Sequence, residues 1–396
     1  MASAAGRRRP HVERLLVTLA VLLVVLGAVL VSAKVSSLVL DRDGAPALRF
    51  LHRVTGDWWD GEPVYGMHRS GMVYPPATWL LLGLFHSWST LEVARWTWAA
   101  VSLVALAALG AACASAVRRG GPAVRACAWL APFSMPTLGD ALELGSLIVV
   151  VLPAAVGAVL LAARHGGRWS TDLAAAAMFD LALASPFTTL PFLAPLAVKA
   201  RSVRPAILAL CGYGLVTVAS ALKHPASFGE EVRLWMAHVY RRAGHGYGNI
   251  QDWLRAADAD WAFAISSLAL LATLTVFVWW CRHSDVWLLL GLSATASRFW
   301  MAPSIGYDAL LIIPMIALAR VASADDVSRR LLTSARIALV LMALVLWIPL
   351  QFHFVGSTLG PLTVGPELVN LFNATHVAVS LLALLVLSTG AVVGRS

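Results

Sequence analysis

Carboxylates are scarce in this chain, with 21 Asp and Glu among 396 residues, yet Asp41, Asp43, Asp57, Asp60 and Glu62 fall together within residues 40–79. They alternate with Trp58, Trp59, Tyr65 and Tyr74, and the stretch closes on Tyr74-Pro75-Pro76. A carboxylate partly shielded from water at a membrane face can take a proton from a hydroxyl group as general base. Asp41 and Asp43 directly follow a long apolar run, which places them for that task. The plainer alternative is that they bias a helix end and stay solvated. Asp57, Asp60 and Glu62 read as solvated acids. The prolines fix the backbone and donate no hydrogen bond, so they set the angle of a turn that could also wall a sugar or lipid pocket.

A second chemically rich stretch, 223–260, is cationic and aromatic. It carries Lys223, His224, Arg233, Trp235, His238, Tyr240, Arg241, Arg242, His245 and Tyr247, and then Gly248-Asn249-Ile250-Gln251. Arginines and histidines in such a loop could hold a lipid phosphate through charge-assisted hydrogen bonds. An amphipathic helix lying on lipid headgroups would use the same residues, and the histidine spacing does not suggest a metal set. Further on, Arg298 and Asp308 bracket a turn that contains Trp300 and Tyr307. Ionisable groups beside apolar runs are costly, about 2.5–3.5 kcal/mol on insertion scales, so this pair is expected to neutralise itself or to line a polar site. Asp180 is a weaker candidate of the same kind.

The elements that must position these residues are membrane helices. Apolar residues form 59% of the chain and charged ones 13%, far from the balance of a soluble domain. The net charge of +9 comes from short basic clusters between apolar runs, which is the positive-inside pattern and excludes nucleic acid as a partner. Cys113, Cys127, Cys211 and Cys281 lie in or beside apolar runs with no metal or disulfide spacing. The run after Arg7-Arg8-Arg9 is longer than a signal-peptide core and reads as an uncleaved signal anchor.

About ten spans are expected, near 15–39, 91–116, 123–139, 144–163, 205–222, 261–280, 285–299, 306–320, 333–352 and 372–393. Segment 172–198 is broken at Ser185-Pro186, and its halves are too short to cross separately. It is expected to be a re-entrant helical hairpin entering from the cytoplasmic side. The tract 77–90 reads as a helix lying at the outer surface. The chain is thus an all-α polytopic membrane protein of one domain, residues 1–396, with outer segments 40–90, 223–260 and 353–371 forming one face.

The order of these landmarks resembles the polytopic membrane glycosyltransferases of family 87, members of the C-type superfamily. An Asp follows the first span, then come Gly61 to Tyr65 as Gly-x-x-x-Tyr and Tyr74-Pro75-Pro76. Leu144-Gly145-Ser146, the Ser185-Pro186 break, Asn249-Ile250-Gln251, Arg298-Phe299-Trp300 and the segment from Tyr307 to Pro314 follow in order. Ser146 and Ser185 stand where such proteins often have Gln and Lys. Histidines common in the late segment are missing, leaving Tyr307 and Asp308.

The resemblance implies a C-type glycosyltransferase fold in the plasma membrane with its active site on the extracytoplasmic face. It implies an inverting transfer of a sugar, mannose or arabinose, from a polyprenyl-phosphate carrier to a glycolipid or envelope-glycan hydroxyl. No metal or other cofactor is expected. Asp43 or Asp41 would be the general base. Arg241, Arg242, Arg298, His238 and His245 would hold the carrier phosphate, and Asn249, Gln251, Tyr307 and Asp308 would shape the sugar pocket, with Tyr74 in the closing turn. A transporter or flippase of lipid-linked sugars, or a catalytically silent scaffold, remains an alternative; a flippase would need a polar path through the bilayer.

Overall fold

The computed structural model of the chain describes residues 10–67, 73–86, 89–224, 228–242, 249–301, 305–324, 327–348, 358–359 and 362–394. The path begins with α1 (Pro10–Leu40), a tight turn, and the loop-layer helices α2 (Pro46–Trp59), α3 (Val64–Met67) and α4 (Pro76–His86). It crosses back through α5 (Leu91–Ala116) and rises through α6 (Gly121–Ser134) into the short α7 (Pro136–Leu144). The middle of the chain forms α8 (Ile148–His165), α9 (Trp169–Ala182), α10 (Pro186–Thr189), α11 (Leu193–Lys199) and α12 (Arg204–Lys223). After α13 (Phe228–Arg242) and α14 (Ile250–Ala256) come α15 (Phe263–Trp280), α16 (Val286–Met301), α17 (Ile312–Ala322), α18 (Arg329–Leu346) and α19 (Pro366–Val393). A two-residue antiparallel pair, β1 (Thr358–Leu359) and β2 (Leu362–Thr363), precedes α19.

The protein is an all-α polytopic membrane protein. Among the described residues, α1, α5, α8, α12, α15 and α19 contain stretches long and apolar enough to cross a membrane. Their outward faces carry Val25, Leu215, Leu268, Val276 and Leu385, all exposed, as lipid-facing helices require. Several remaining expected spans are broken or short. The run 123–139 divides at Met135, where Pro136 starts α7, because proline removes a helix donor and clashes with the preceding turn. The run 306–320 opens with a 3-10 stretch, Ile305–Leu311, before α17.

One end of the bundle is tied by basic side chains. Arg320 donates to the Ala116 carbonyl at 2.6 Å and pairs with Asp285, and Arg204 pairs with buried Asp172 at 3.3 Å. Lys199 donates to the Arg282 carbonyl at 2.7 Å and also to that of Ser284, whose hydroxyl bonds Ala391. We call this the basic end.

The 169–199 segment enters and leaves at that end. Its arms differ from the expected hairpin, because α9 packs on α8 and α12 while α11 packs on α8, α12, α15 and α16, not along α9. The tip between them reaches the opposite end. There the Thr78 hydroxyl donates to the Ala184 carbonyl at 2.8 Å, and Phe187 meets Trp235 and Trp300 with ring centroids 5.8 and 5.5 Å away. The segment is an open wedge through the bundle.

The opposite end is a layer of short helices. In α2 the buried Leu48, Leu51, Val54 and Trp58 recur at helical spacing, and each such aliphatic burial stabilises by about 1.5–3 kcal/mol. The tract expected to lie at the surface is instead the interior helix α4, with Ala77, Thr78, Trp79 and Leu82 buried against α2 and α12. Its burial is polar-assisted, since Trp59 donates to the Trp79 carbonyl at 3.1 Å.

The junction between α7 and α2 depends on Gly145, which ends α7 at φ 70° and whose added Cβ would stand 2.5 Å from Leu48 Cβ. Replacing Gly145 with Ala is expected to lower unfolding free energy by about 1–3 kcal/mol, through left-handed backbone strain plus overpacking. Thermal unfolding of the purified variant in detergent reads this directly, and an unchanged midpoint would contradict it.

Candidate functional site

The turn after α1 is fixed from three sides. Arg95, buried on α5, donates to the carbonyls of Asp41 at 2.8 Å, Arg42 at 3.4 Å and Gly44 at 2.6 Å. Arg49 donates to the Asp43 carbonyl at 2.5 Å and pairs with its carboxylate at 3.4 Å. Gly44 lies so close to the Ser37 carbonyl that an added Cβ would be 2.0 Å from it, and Ala45 is held in the left-handed region at φ 53°. A non-glycine residue in that region is strained, and such strain persists only where the surroundings over-determine it. The turn is therefore preset, while the carboxylates it carries are exposed, that of Asp43 at 95%.

Asp41 and Asp43 line an open cleft of about 520 Å³ with Ser37, Pro46 and Glu143. Glu143 is a further acid of this site that sequence reasoning missed. Lys34 bridges it at 2.5 Å and Asp140 at 2.7 Å, and Ser37 donates to its other oxygen at 3.0 Å. Glu143 is thus charge-paired, whereas the carboxylates of Asp41 and Asp43 are exposed, that of Asp43 with Arg49 beside it. The available signal was Lys34 itself, a charge near the end of an apolar span that needs acidic partners.

The expected pairing of Arg298 with Asp308 is present. Arg298 Nε donates to Asp308 Oδ1 at 2.5 Å, and both side chains are buried. The structure adds His376 from α19, whose Nε2 is 3.7 Å from the other Asp308 oxygen and whose Nδ1 lies 3.0 Å from the Phe372 carbonyl. A histidine absent from the late segment thus arrives from a helix more than sixty residues further on, which spacing in sequence could not show. The 305–311 stretch packs on α7, so this buried cluster and the Asp41–Asp43 cleft flank the same short helix.

The cationic stretch divides. His238 is buried, with Nε2 3.0 Å from the Tyr65 carbonyl, and Trp235 donates to the Val73 carbonyl at 3.0 Å. Both tie α13 to the first loop. Asn249 caps α14, accepting from the Asp252 backbone N–H at 3.0 Å in a reciprocal capping box. Gln251 is buried, and its amide nitrogen has no partner among the described residues. His238 and Asn249 therefore have structural work where phosphate and sugar contacts were expected. Arg241 and Arg242 end α13, but their side chains, that of Tyr307 and all of His245 lie outside the described residues.

Tyr74 belongs to the wall of the loop layer. Its carbonyl accepts from the Tyr65 hydroxyl at 2.7 Å, which in turn accepts from Trp79 Nε1 at 2.8 Å. Burial pushes the Tyr65 phenol well above the ordinary tyrosine range, so it remains a donor. Glu231, also unforeseen, is buried beneath this layer with Trp58 Nε1 3.4 Å away. Among the described residues no group of three or more His, Cys, Asp or Glu is arranged to hold a metal ion.

A lateral apolar groove of about 380 Å³ runs between α15, α16 and α19 and ends beneath α14, at Ile250, Trp253 and Phe299. Phe299, in its wall, directly follows Arg298 on α16.

Removing one partner of a buried pair leaves an uncompensated charge, a cost of about 3–5 kcal/mol, whereas replacing both can be near neutral. Asp308→Leu alone is expected to destabilise strongly, and Arg298→Met combined with Asp308→Leu to recover much of that loss. Denaturation midpoints of Arg298→Met, Asp308→Leu and the double variant check this; a double variant worse than the sum of its parts would argue against it.

The model of glycosyltransferase family 87 matches residues 72–301, more than half of the chain. No curated protein and no solved structure matches.

Proposed function

Because the chain belongs to glycosyltransferase family 87, and is thus a membrane glycosyltransferase, we propose that it moves a sugar from a polyprenyl-phosphate carrier to a hydroxyl of a glycolipid or envelope glycan, with inversion. The observation that carries this reading is the preset turn, which presents two exposed carboxylates in a cleft whose other acid is already neutralised. Asp43, or Asp41, takes the proton of the acceptor hydroxyl. The acceptor oxygen bonds the anomeric carbon as the bond from that carbon to the carrier phosphate breaks, and the lipid phosphate departs with the electron pair. One displacement inverts the anomeric centre.

The carrier is both a long apolar chain and an anion. The groove between α15, α16 and α19 suits the chain, being almost wholly apolar in its lining. Arg241 and Arg242, at the end of α13, are the cations proposed for the phosphate, which needs charge neutralisation as it leaves. Gln251, buried and with an unpartnered amide, is proposed to meet the sugar. Mannose or arabinose is the proposed sugar. The site end lies opposite the basic end, and by the positive-inside rule it faces away from the cytoplasm at the plasma membrane.

Asp43→Asn and Asp41→Asn proteins are expected to insert and melt as the parent does. At least one should lose transfer from a polyprenyl-phosphate sugar by about a hundredfold or more, the usual worth of a general base. Full activity in both would refute the base assignment. Thr273→Trp, on an exposed groove position, is expected to raise KM several-fold for a long-chain donor and to leave KM for a truncated-chain donor unchanged. Equal effects on both donors would place the chain elsewhere.

A further inference from the structure

At the basic end, away from the carboxylate turn, the ends of α5, α16, α17, α18 and α19 enclose a cavity of about 500 Å³. Arg119, Arg320 and Asp285 reach its wall. Arg320 is partly engaged by Asp285 and the Ala116 carbonyl. Arg119 and its neighbour Arg118 are exposed and have no hydrogen-bond or ion-pair partner among the described residues. Arg164, bonded to Ser115 at 2.7 Å, stands in the repulsive field of Arg118 and Arg320. Two guanidinium groups, those of Arg119 and Arg320, thus reach a cavity wall whose described carboxylate is that of Asp285. The cations Arg204 and Lys199, by contrast, are matched to Asp172 and to backbone carbonyls.

The cavity has an apolar neighbour. Val117 lines both it and a groove of about 720 Å³ between α1, α6, α17 and α18, whose walls are residues such as Leu19, Leu26, Ala128, Ile316 and Val340. From Leu331, in the cavity wall, to Trp347, at the far end of the groove, α18 rises about 24 Å at 1.5 Å per residue. That is the reach of a single extended acyl chain, and far more than a free anion would use.

We propose that this is a binding site for an anionic phospholipid, with its phosphate against Arg119 and Arg320 and one acyl chain in the groove between α1 and α18. Basic pockets between membrane helices recognise such headgroups by charge, and the joined groove adds the apolar half of the ligand. The site is separate from the proposed transfer site and does not rest on that reading.

Native mass spectrometry of the full-length protein with added phosphatidylglycerol or phosphatidylcholine tests it. Phosphatidylglycerol is expected to remain bound preferentially to the parent. Arg119→Gln should reduce its retention about fivefold, the effect of one cation at a membrane surface. Val340→Trp fills the groove from a lipid-exposed position and should reduce retention of both lipids without shifting the melting midpoint. Equal retention of the two lipids by the parent, or no loss in Arg119→Gln, would overturn the proposal. Displacement by inorganic phosphate together with full retention in Val340→Trp would reduce the site to a bare anion site and equally overturn it.

Discussion

The guanidinium of Arg95 on three successive-turn carbonyls is the interaction on which the loop-layer end depends. A chain that leaves a long membrane helix and turns at once cannot keep its carbonyls in helical bonds, and near lipid there is little water to satisfy them. Arg95 supplies the donors from the next crossing, so one side chain both closes the turn and fastens α1 to α5. Only then can Ala45 stay left-handed and Gly44 stay pressed on Ser37. The exposed carboxylates of Asp41 and Asp43 inherit their fixed position from a buried cation that itself touches no solvent-facing acid.

Much of this was legible in the sequence because lipid is an unforgiving solvent. Long apolar runs with basic flanks marked the crossings and Ser185-Pro186 marked a break, whereas the break at Met135, before Pro136, lies inside a run that reads as a single span. Arg298 and Asp308 were paired in advance because two buried charges ten residues apart need each other. What escaped was long-range: Arg95 looks like an ordinary helix residue, Glu143 gains meaning only beside Lys34, and His376 only beside Asp308. Asn249 was ambiguous for a different reason. An Asn before a helix and an Asn in a sugar pocket look alike until Asp252 completes the capping box. The tract 77–90 misled because its aromatic, interrupted character suits an interface, whereas α2 and α12 bury it.

Charge is sorted along the bundle by what each end must do. At the basic end Lys199, Arg204 and Arg320 bond backbone carbonyls or a matching acid and so lock helix ends together. At the other end the acids on α7 are held by Lys34 and those of the first turn are left accessible. Holding Glu143 while freeing Asp41 and Asp43 matters chemically. Lys34 offsets the charge of Glu143 in the cleft wall, so less like charge faces the two exposed acids.

The broken helices follow from the same constraint. Interruptions in a membrane helix are tolerated only where the freed backbone finds partners inside the protein or lines a cavity. At the wedge tip, Thr189 donates to the Ala182 carbonyl at 2.8 Å and Thr78 to that of Ala184, so two hydroxyls satisfy freed carbonyls, while the Thr188 and Ser185 hydroxyls bond each other at 2.8 Å. The break at Met135 places α7 between the acids and the 305–311 stretch, whose carboxylate Arg298 repairs electrostatically. These interruptions all lie towards the site end. Continuous helices would have carried each chain past the active layer; interrupted ones end there and leave room for short elements that can hold a substrate.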